Sequence, residues 1–258
     1  MENENKEQKY ESFKEFEKLA REKNINRLDK SYLRRFFVGR QYDTVAALKA
    51  LQNYESFVKR RKERWLTMKK TRIELLIQYQ IVEILLSPGI QGQYIVWIRL
   101  ENWDPGTVEA DEILEFSGLL CELLYAEADE IHSIDIIVDL HNFSLKHLYG
   151  LSPKFAKRMV FFMAECLPMI MSHIYVVRQP KIFYLVYSLF KPFLDENIRK
   201  TIKICGHNYQ LLTGTIGKHN LPIEFDGTVN YSKLTRWLNI FHNNRTQKGL
   251  KLAGYEFV

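Results

Sequence analysis

The stretch SIDIIVDL, Ser133 to Leu140, is β-branched and almost continuously apolar, broken only by Asp135 and Asp139. A strand with one face in water alternates polar and apolar side chains, whereas a strand covered on both faces does not. SIDIIVDL therefore predicts a strand with helices packed on each side. Upstream, QYIVWIRL (Gln93 to Leu100) has the same character, as does HIYVVRQ (His173 to Gln179) downstream, and TIKICG (Thr201 to Gly206) can supply another strand. Between them, Val108 to Glu130 and Pro153 to Leu167 read as helices. Strands that alternate with helices predict an α/β fold with a mostly parallel sheet and crossover helices.

Before this sheet, SYLRRFFVGRQYDTVAALKALQNYESFVKRR places Leu33, Phe36 and Phe37, then Val45, Leu48, Leu51, Tyr54 and Phe57, at spacings of three and four. Asp43 precedes the second run as an N-cap. The organisation expected is a helical bundle over residues 10–72, a sheet domain over 73–235 and a C-terminal tail over 236–258. From Tyr231 onward the pattern is mixed and predicts no definite element.

Composition narrows the function classes. With 46% apolar and 26% charged residues the chain reads as a globular protein. Three widely spaced cysteines fit a reducing compartment rather than a disulfide framework. The polar start MENENKEQKYESFKEF has no apolar signal core, so the expected location is cytoplasmic, peripheral at membranes. MVFFMAECLPMIMSHIYVV (Met159 to Val177) is interrupted by Glu165, Pro168, Ser172 and His173, which favours helix, turn and strand over a membrane span. The net charge of +6 is unevenly spread. Residues 1–75 hold 20 Lys/Arg against 12 Asp/Glu (+8), residues 76–145 hold 1 against 13 (−12), and residues 146–258 hold 16 against 6 (+10). Because the aromatics cluster in apolar runs and not among the cations, no nucleic-acid partner is expected, and anionic membrane is the partner that fits the basic segments.

Catalytic constellations are missing. There is no G-x-S-x-G, H-E-x-x-H, C-x-x-C or G-x-G-x-x-G, and TGTIGKHN (Thr213 to Asn220) spaces its glycines too closely for a phosphate loop. His141, His147 and Asp139 lack a further ligand at familiar spacing, so no metal is expected. No enzyme activity and no cofactor are expected either. What stands out is PKIFYLVYSLFKPFL, Pro180 to Leu194. As a helix it confines Lys181, Tyr184, Ser188, Lys191 and Asp195 to one stripe and leaves the rest apolar, too greasy for a surface helix and too short for a bilayer span. Beside it the chain concentrates Phe155, Met159, Phe162, Met163, Leu167, Met169 and Met171, residues that fill irregular apolar space. A wide apolar helix facing such a wall implies a cavity with a movable cover.

Several motifs in order resemble the CRAL-TRIO lipid-binding family. LRRFFVGRQYDTVAALKALQNY is similar to its N-terminal helical motif, with Arg40, Tyr42, Asp43 and Ala46 at the matching places. IRLENWDP (Ile98 to Pro105) resembles the strand and turn of the branch that contains the tocopherol transfer and retinaldehyde-binding proteins, with Glu101 in place of Gly. IIVDLHNFS resembles the next strand, with Asn142 in place of Gly, and the run from Pro168 through IYVVRQPKIF, FKPFLDE and ICG to LPIEFDG resembles the C-terminal half, with Asp226 in place of the first of two glycines. The resemblance implies an N-terminal helical bundle followed by a lipid-binding domain. It makes Pro180 to Leu194 a mobile gate helix.

Carried over by position, the resemblance implies a pocket walled by Leu114, Ser117 and Cys121, by Ile134 and Val138, and by Met159, Phe162, Met163, Leu167 and Met169. The gate would contribute Phe183, Val186, Leu189, Phe190, Phe193 and Leu194, and Lys191, Arg199, Lys200 and Lys203 would meet anionic lipid. The expected function is an intracellular carrier of one small lipophilic ligand, a tocopherol, retinoid, carotenoid or similar isoprenoid, moved between membranes. The alternatives are a lipid-regulated interaction module or a phospholipid- or phosphoinositide-binding protein. Phospholipid-binding members carry Glu and Lys where this chain has Met169 and Thr201.

Overall fold

The computed structural model describes residues 2–85, 88–128, 130–230 and 236–258. The expected domain boundary at 235 and the start of the tail at Tyr231 lie outside them. The N-terminal part holds α1 (Glu2–Glu22), α2 (Lys30–Gly39), α3 (Thr44–Lys59), α4 (Lys62–Trp65), β1 (Thr67–Met68) and α5 (Lys70–Tyr79). Then come β2 (Val82–Leu85), β3 (Tyr94–Arg99), α6 (Ala110–Glu127), β4 (Ser133–Asp139), α7 (Leu145–Tyr149), α8 (Pro153–Phe161) and β5 (Ile170–Val177). The chain continues with α9 (Phe183–Phe190), α10 (Glu196–Thr201), β6 (Ile202–Gly206) and α11 (Gln210–Ile216), and closes with α12 (Arg236–His242), α13 (Asn244–Leu252) and β7 (Glu256–Phe257).

The main sheet has the order β2-β3-β4-β5-β6. Its members are parallel except β2, which runs antiparallel to β3. The strand SIDIIVDL lies at its centre and is covered on both faces, Ile134 and Ile136 packing into one apolar cluster and Ile137 with Leu212 and Ile216 into another, which is why it needs apolar residues on both. Its two aspartates share the face opposite Ile134, Ile136 and Val138, and each meets a polar side chain there. Asp135 is 3.1 Å from His173 Nδ1, and Asp139 accepts from Arg178 Nε at 2.9 Å. Both are buried, and each is taken up by a partner from the β5 end of the sheet.

Helices α1 to α3 form their own apolar cluster around Phe16, Leu33, Phe36, Phe37 and Leu51. Asp29 and Asp43 cap α2 and α3 through their carboxylates, as the sequence around Asp43 predicts. Helix α5 crosses the boundary expected at residue 72, and its Ile73, Leu76 and Ile77 join the sheet domain's core. The C-terminal segment also packs into that core, through Trp237, Ile240, Phe241, Leu250 and Tyr255. Trp237 Nε1 donates to the Ile84 carbonyl, and β7 pairs with β1.

The uneven charge has an internal cause. Acidic α6 is stitched to basic side chains from the N-terminal helices: Arg61 to Asp111, Arg64 to Glu109 and Glu115, Arg72 to Glu112, and Arg35 to Glu122. Much of the positive charge before residue 75 thus meets protein rather than an external partner.

Two departures from the family's glycines are explained by backbone geometry. Asn142 and Asp226 have φ of 54° and 58°, the left-handed region that Asn and Asp enter more readily than other side chains. Replacing Asn142 by Gly is therefore expected to leave stability within about 0.5 kcal/mol, whereas Asn142→Val should lose about 1–3 kcal/mol. Urea denaturation of both variants checks this, and equal midpoints would contradict the assigned conformation.

Candidate ligand cavity

The sheet is two-faced. Val96 and Ile98 of β3, Ile134, Ile136 and Val138 of β4, Ile174 and Val176 of β5 and Ile202 of β6 turn to one side. They form the floor of a cavity of about 240 Å³. Leu114, Ser117 and Cys121 project from α6, and Phe155 and Met159 from α8. Phe162 to Cys166 form a π-helical turn that supplies Phe162 and Met163, and Leu167 follows it. Helix α9 closes the remaining side with Phe183, Val186, Tyr187 and Phe190, joined by Leu194. That spacing is one helical face.

The opposite stripe of α9 answers the question its sequence poses. Lys181, Tyr184, Ser188, Lys191 and Asp195 are all exposed, so the polar stripe faces outward and the apolar arc inward. Tyr184 and Leu185 are adjacent and stand 63% and 57% exposed on this outer side. After Phe190 the chain tightens into a 3₁₀ turn over Lys191–Phe193, as expected from Pro192, which has no N–H to continue the helix.

Most of the expected wall residues converge on the cavity. Met169, Leu189 and Phe193 do not. Met169 is buried in the sheet domain's core without lining the cavity, and its backbone and that of Pro168 press against Gly39 at the end of α2. Leu189 and Phe193 are half-buried and outside the cavity-facing arc of α9. Phe155 and Met171, which the sequence places in the apolar wall but the resemblance does not carry over, also line the cavity; sequence reasoning missed Val82, Ile84, Val96, Ile98, Ile198 and Ile202, and strand parity with Ile134, Ile136 and Val138 is the signal for those on β3.

The wall offers little polarity. No Lys, Arg, His, Asp or Glu is among its lining residues. Ser117 Oγ donates to the Ile113 carbonyl at 2.8 Å and Trp103 Nε1 to the Val108 carbonyl at 2.8 Å. Burial pushes the Cys121 thiol up to about 12, so it stays protonated and behaves as an apolar surface. Among the expected lipid-contact cations, Lys191, Arg199 and Lys200 are exposed and Lys203 is half-buried. Arg199 donates to the Lys191 carbonyl and Lys203 to the Lys200 carbonyl, which holds them in one basic cluster beyond α9.

Outside the cavity, His147 closes the N-terminus of α7, its Nδ1 accepting from the Ser144 backbone N–H at 3.0 Å. Among the described residues no group of three or more His, Cys, Asp or Glu could hold a metal ion. No described helix is long and apolar enough to cross a membrane.

The alpha-tocopherol transfer protein-like protein of Homo sapiens is 26% identical over 211 residues, 81% of this chain and 62% of that protein. Clavesin-1 of Rattus norvegicus is 26% identical over 214 residues, 82% of this chain and 60% of that one. The chain thus spans about 60% of the length of the curated relatives it matches. The crystal structure of Sfh5 shares the fold, with a TM-score of 0.61 over 94% of this chain and 96% of that one at 13% identity. Residues 78–227, more than half of the sequence and the part that builds most of the cavity, match the CRAL/TRIO domain, and the chain belongs to that family.

Proposed function

We propose that this chain binds one small lipophilic molecule behind α9 and carries it between membranes, without catalysing a reaction on it. The observation that supports this best is the cavity itself, roofed by a helix and lined by apolar side chains with no charged group. Burial of apolar surface is the available source of affinity there. A tocopherol, retinoid, carotenoid or similar isoprenoid fits such a wall, whereas an ionised headgroup inside it would lose its hydration without a partner. Native mass spectrometry of the purified protein, followed by solvent extraction, is expected to find an apolar compound at one-to-one stoichiometry. An empty protein that takes up neither tocopherol nor retinoid, and instead captures a protein partner, would move the function to a lipid-regulated interaction module.

Release requires α9 to move, and its outer surface is suited to meet a bilayer. Tyr184 and Leu185 lie outside the cavity-facing arc, whereas Phe190 faces inward, so they test membrane contact without removing wall. Each large side chain entering the interface contributes about 1.5–3 kcal/mol. A Tyr184→Asp, Leu185→Asp variant is expected to keep its ligand and slow transfer between liposomes at least about tenfold. The cations Lys191, Arg199, Lys200 and Lys203 should add a part that depends on anionic lipid and fades with salt. Wild-type transfer rates in the double variant would exclude the outer face of α9 as the contact.

A further inference from the structure

Behind one end of the cavity lies a second, much smaller chamber of about 10 Å³, room for a single water or hydroxyl group. The two share three side chains, Cys121, Phe162 and Leu167, so these form the partition. The rest of the chamber's lining mixes polar side chains, Tyr32, Arg35, Tyr54, Glu122 and Tyr125, with Phe36, Gly118 and Pro168. Arg35 Nη1 donates to Glu122 Oε2 at 2.7 Å, and Tyr54 Oη lies 3.5 Å from Glu122 Oε1. Tyr125 Oη is buried with no hydrogen-bond partner among the described residues, although the Arg35 guanidinium sits 4.2 Å from its ring centre. Phe162 is the bulkiest of the three and packs against Trp65 at 4.9 Å and Phe57 at 5.2 Å between ring centres. It is also the first residue of the π turn, an irregular element placed where a shift of register would move its ring.

Resting on the carrier function proposed above, we propose that Phe162 is the specificity-determining end wall of the cavity, setting how long a chain lipid the protein accepts. A ligand that ends at the ring is fully enclosed in apolar surface. A longer hydrocarbon must push its end into the Arg35–Glu122 chamber, where apolar atoms displace polar contacts; a longer alcohol meets the unpartnered Tyr125 hydroxyl instead. The wall therefore discriminates by length first and by the polarity of the chain end second.

The test uses geraniol, farnesol and geranylgeraniol with their methyl ethers, scored by competition in native mass spectrometry. Wild-type affinity should peak within the series and fall about tenfold at the next longer member, the factor that corresponds to ~1.4 kcal/mol. Phe162→Leu, and from the other side of the partition Cys121→Ala, should move the peak to the longer alcohol. Adding Tyr125→Phe to Phe162→Leu should cut the advantage of that alcohol over its ether about fivefold, as loss of one hydrogen bond does. If Phe162→Leu does not fold by circular dichroism, Cys121→Ala decides. Folded variants that keep the wild-type length profile overturn the end wall alone. A wild type that takes up none of the series overturns the carrier function and the wall with it.

Discussion

Replacing Gly39 by alanine is expected to lower the stability of this protein by at least about 3 kcal/mol, the top of the usual range for overpacking. Gly39 ends α2, and a Cβ there would lie 1.4 Å from the Pro168 carbonyl oxygen and 2.5 Å from its carbon. Both are backbone atoms just ahead of β5, so no side-chain rotamer can relieve the clash. Either α2 or the start of β5 must move, and the seam between bundle and sheet domain opens with it. The melting temperature should fall by about 6–12 °C for a chain of this size. A matched control is Gly249→Ala within α13, where nothing lies within 4 Å of the added carbon. Lower backbone freedom in the unfolded chain should make that variant more stable by about 0.5–1 kcal/mol. Should Gly39→Ala melt like the wild type, the close packing of α2 on Pro168 is wrong.

Gly39 also shows where the sequence runs out. SIDIIVDL, QYIVWIRL and HIYVVRQ were legible as strands because burial on both faces leaves a local mark, a β-branched run without alternation. The helices around α6 and α8 were legible for the same kind of reason. A glycine needed for close approach leaves no mark, since its requirement comes from Pro168, far away in the chain. Strand β2 carries Glu83 in the middle of VEIL, which hides a buried edge strand. The tail was opaque because Trp237 finds its partner on β2 and α12 packs on α5 and α6, far away in the chain.

The cavity was legible only in part. Period alone indicated that α9 is too apolar for a surface helix, but choosing which side of the arc faces inward depended on the resemblance. That choice included Leu189 and Phe193 and omitted Tyr187. Charge was the least legible signal: the excess before residue 75 reads as a docking surface until Arg35, Arg61, Arg64 and Arg72 are seen to meet α6.

Separating the buried pair Glu83 and Arg99 is expected to be as damaging as the Gly39 change, while removing both together is not. Glu83 on β2 is 2% exposed and accepts from Arg99 Nη2 at 2.5 Å. Arg99 also donates from Nε to the Gln80 carbonyl and lies 4.3 Å from the centre of the Trp97 ring. Burial pushes the Glu83 carboxyl from 4.5 up to about 7 against the opposing pull of Arg99. The unfolded chain releases this proton near pH 4.5 and the folded chain near 7. Between those values the folded state holds a proton that the unfolded state lacks, so stability falls as pH rises through the window and levels off above it. The full loss is up to about 3 kcal/mol. At pH 8 Glu83→Leu alone strands the guanidinium in the core and should lose about 3–5 kcal/mol. Glu83→Leu with Arg99→Met replaces a desolvated ion pair by apolar surface of similar volume, and should match or exceed wild-type stability by up to about 4 kcal/mol. Glu115 on α6 is likewise raised to about 7 by burial, so the double variant should keep that share of the pH dependence and lose only the share from Glu83. Urea denaturation at pH 5 and pH 8 measures both effects. A double variant as unstable at pH 8 as Glu83→Leu alone would mean that the pair stabilises the sheet edge outright, and that its burial is not the dominant effect.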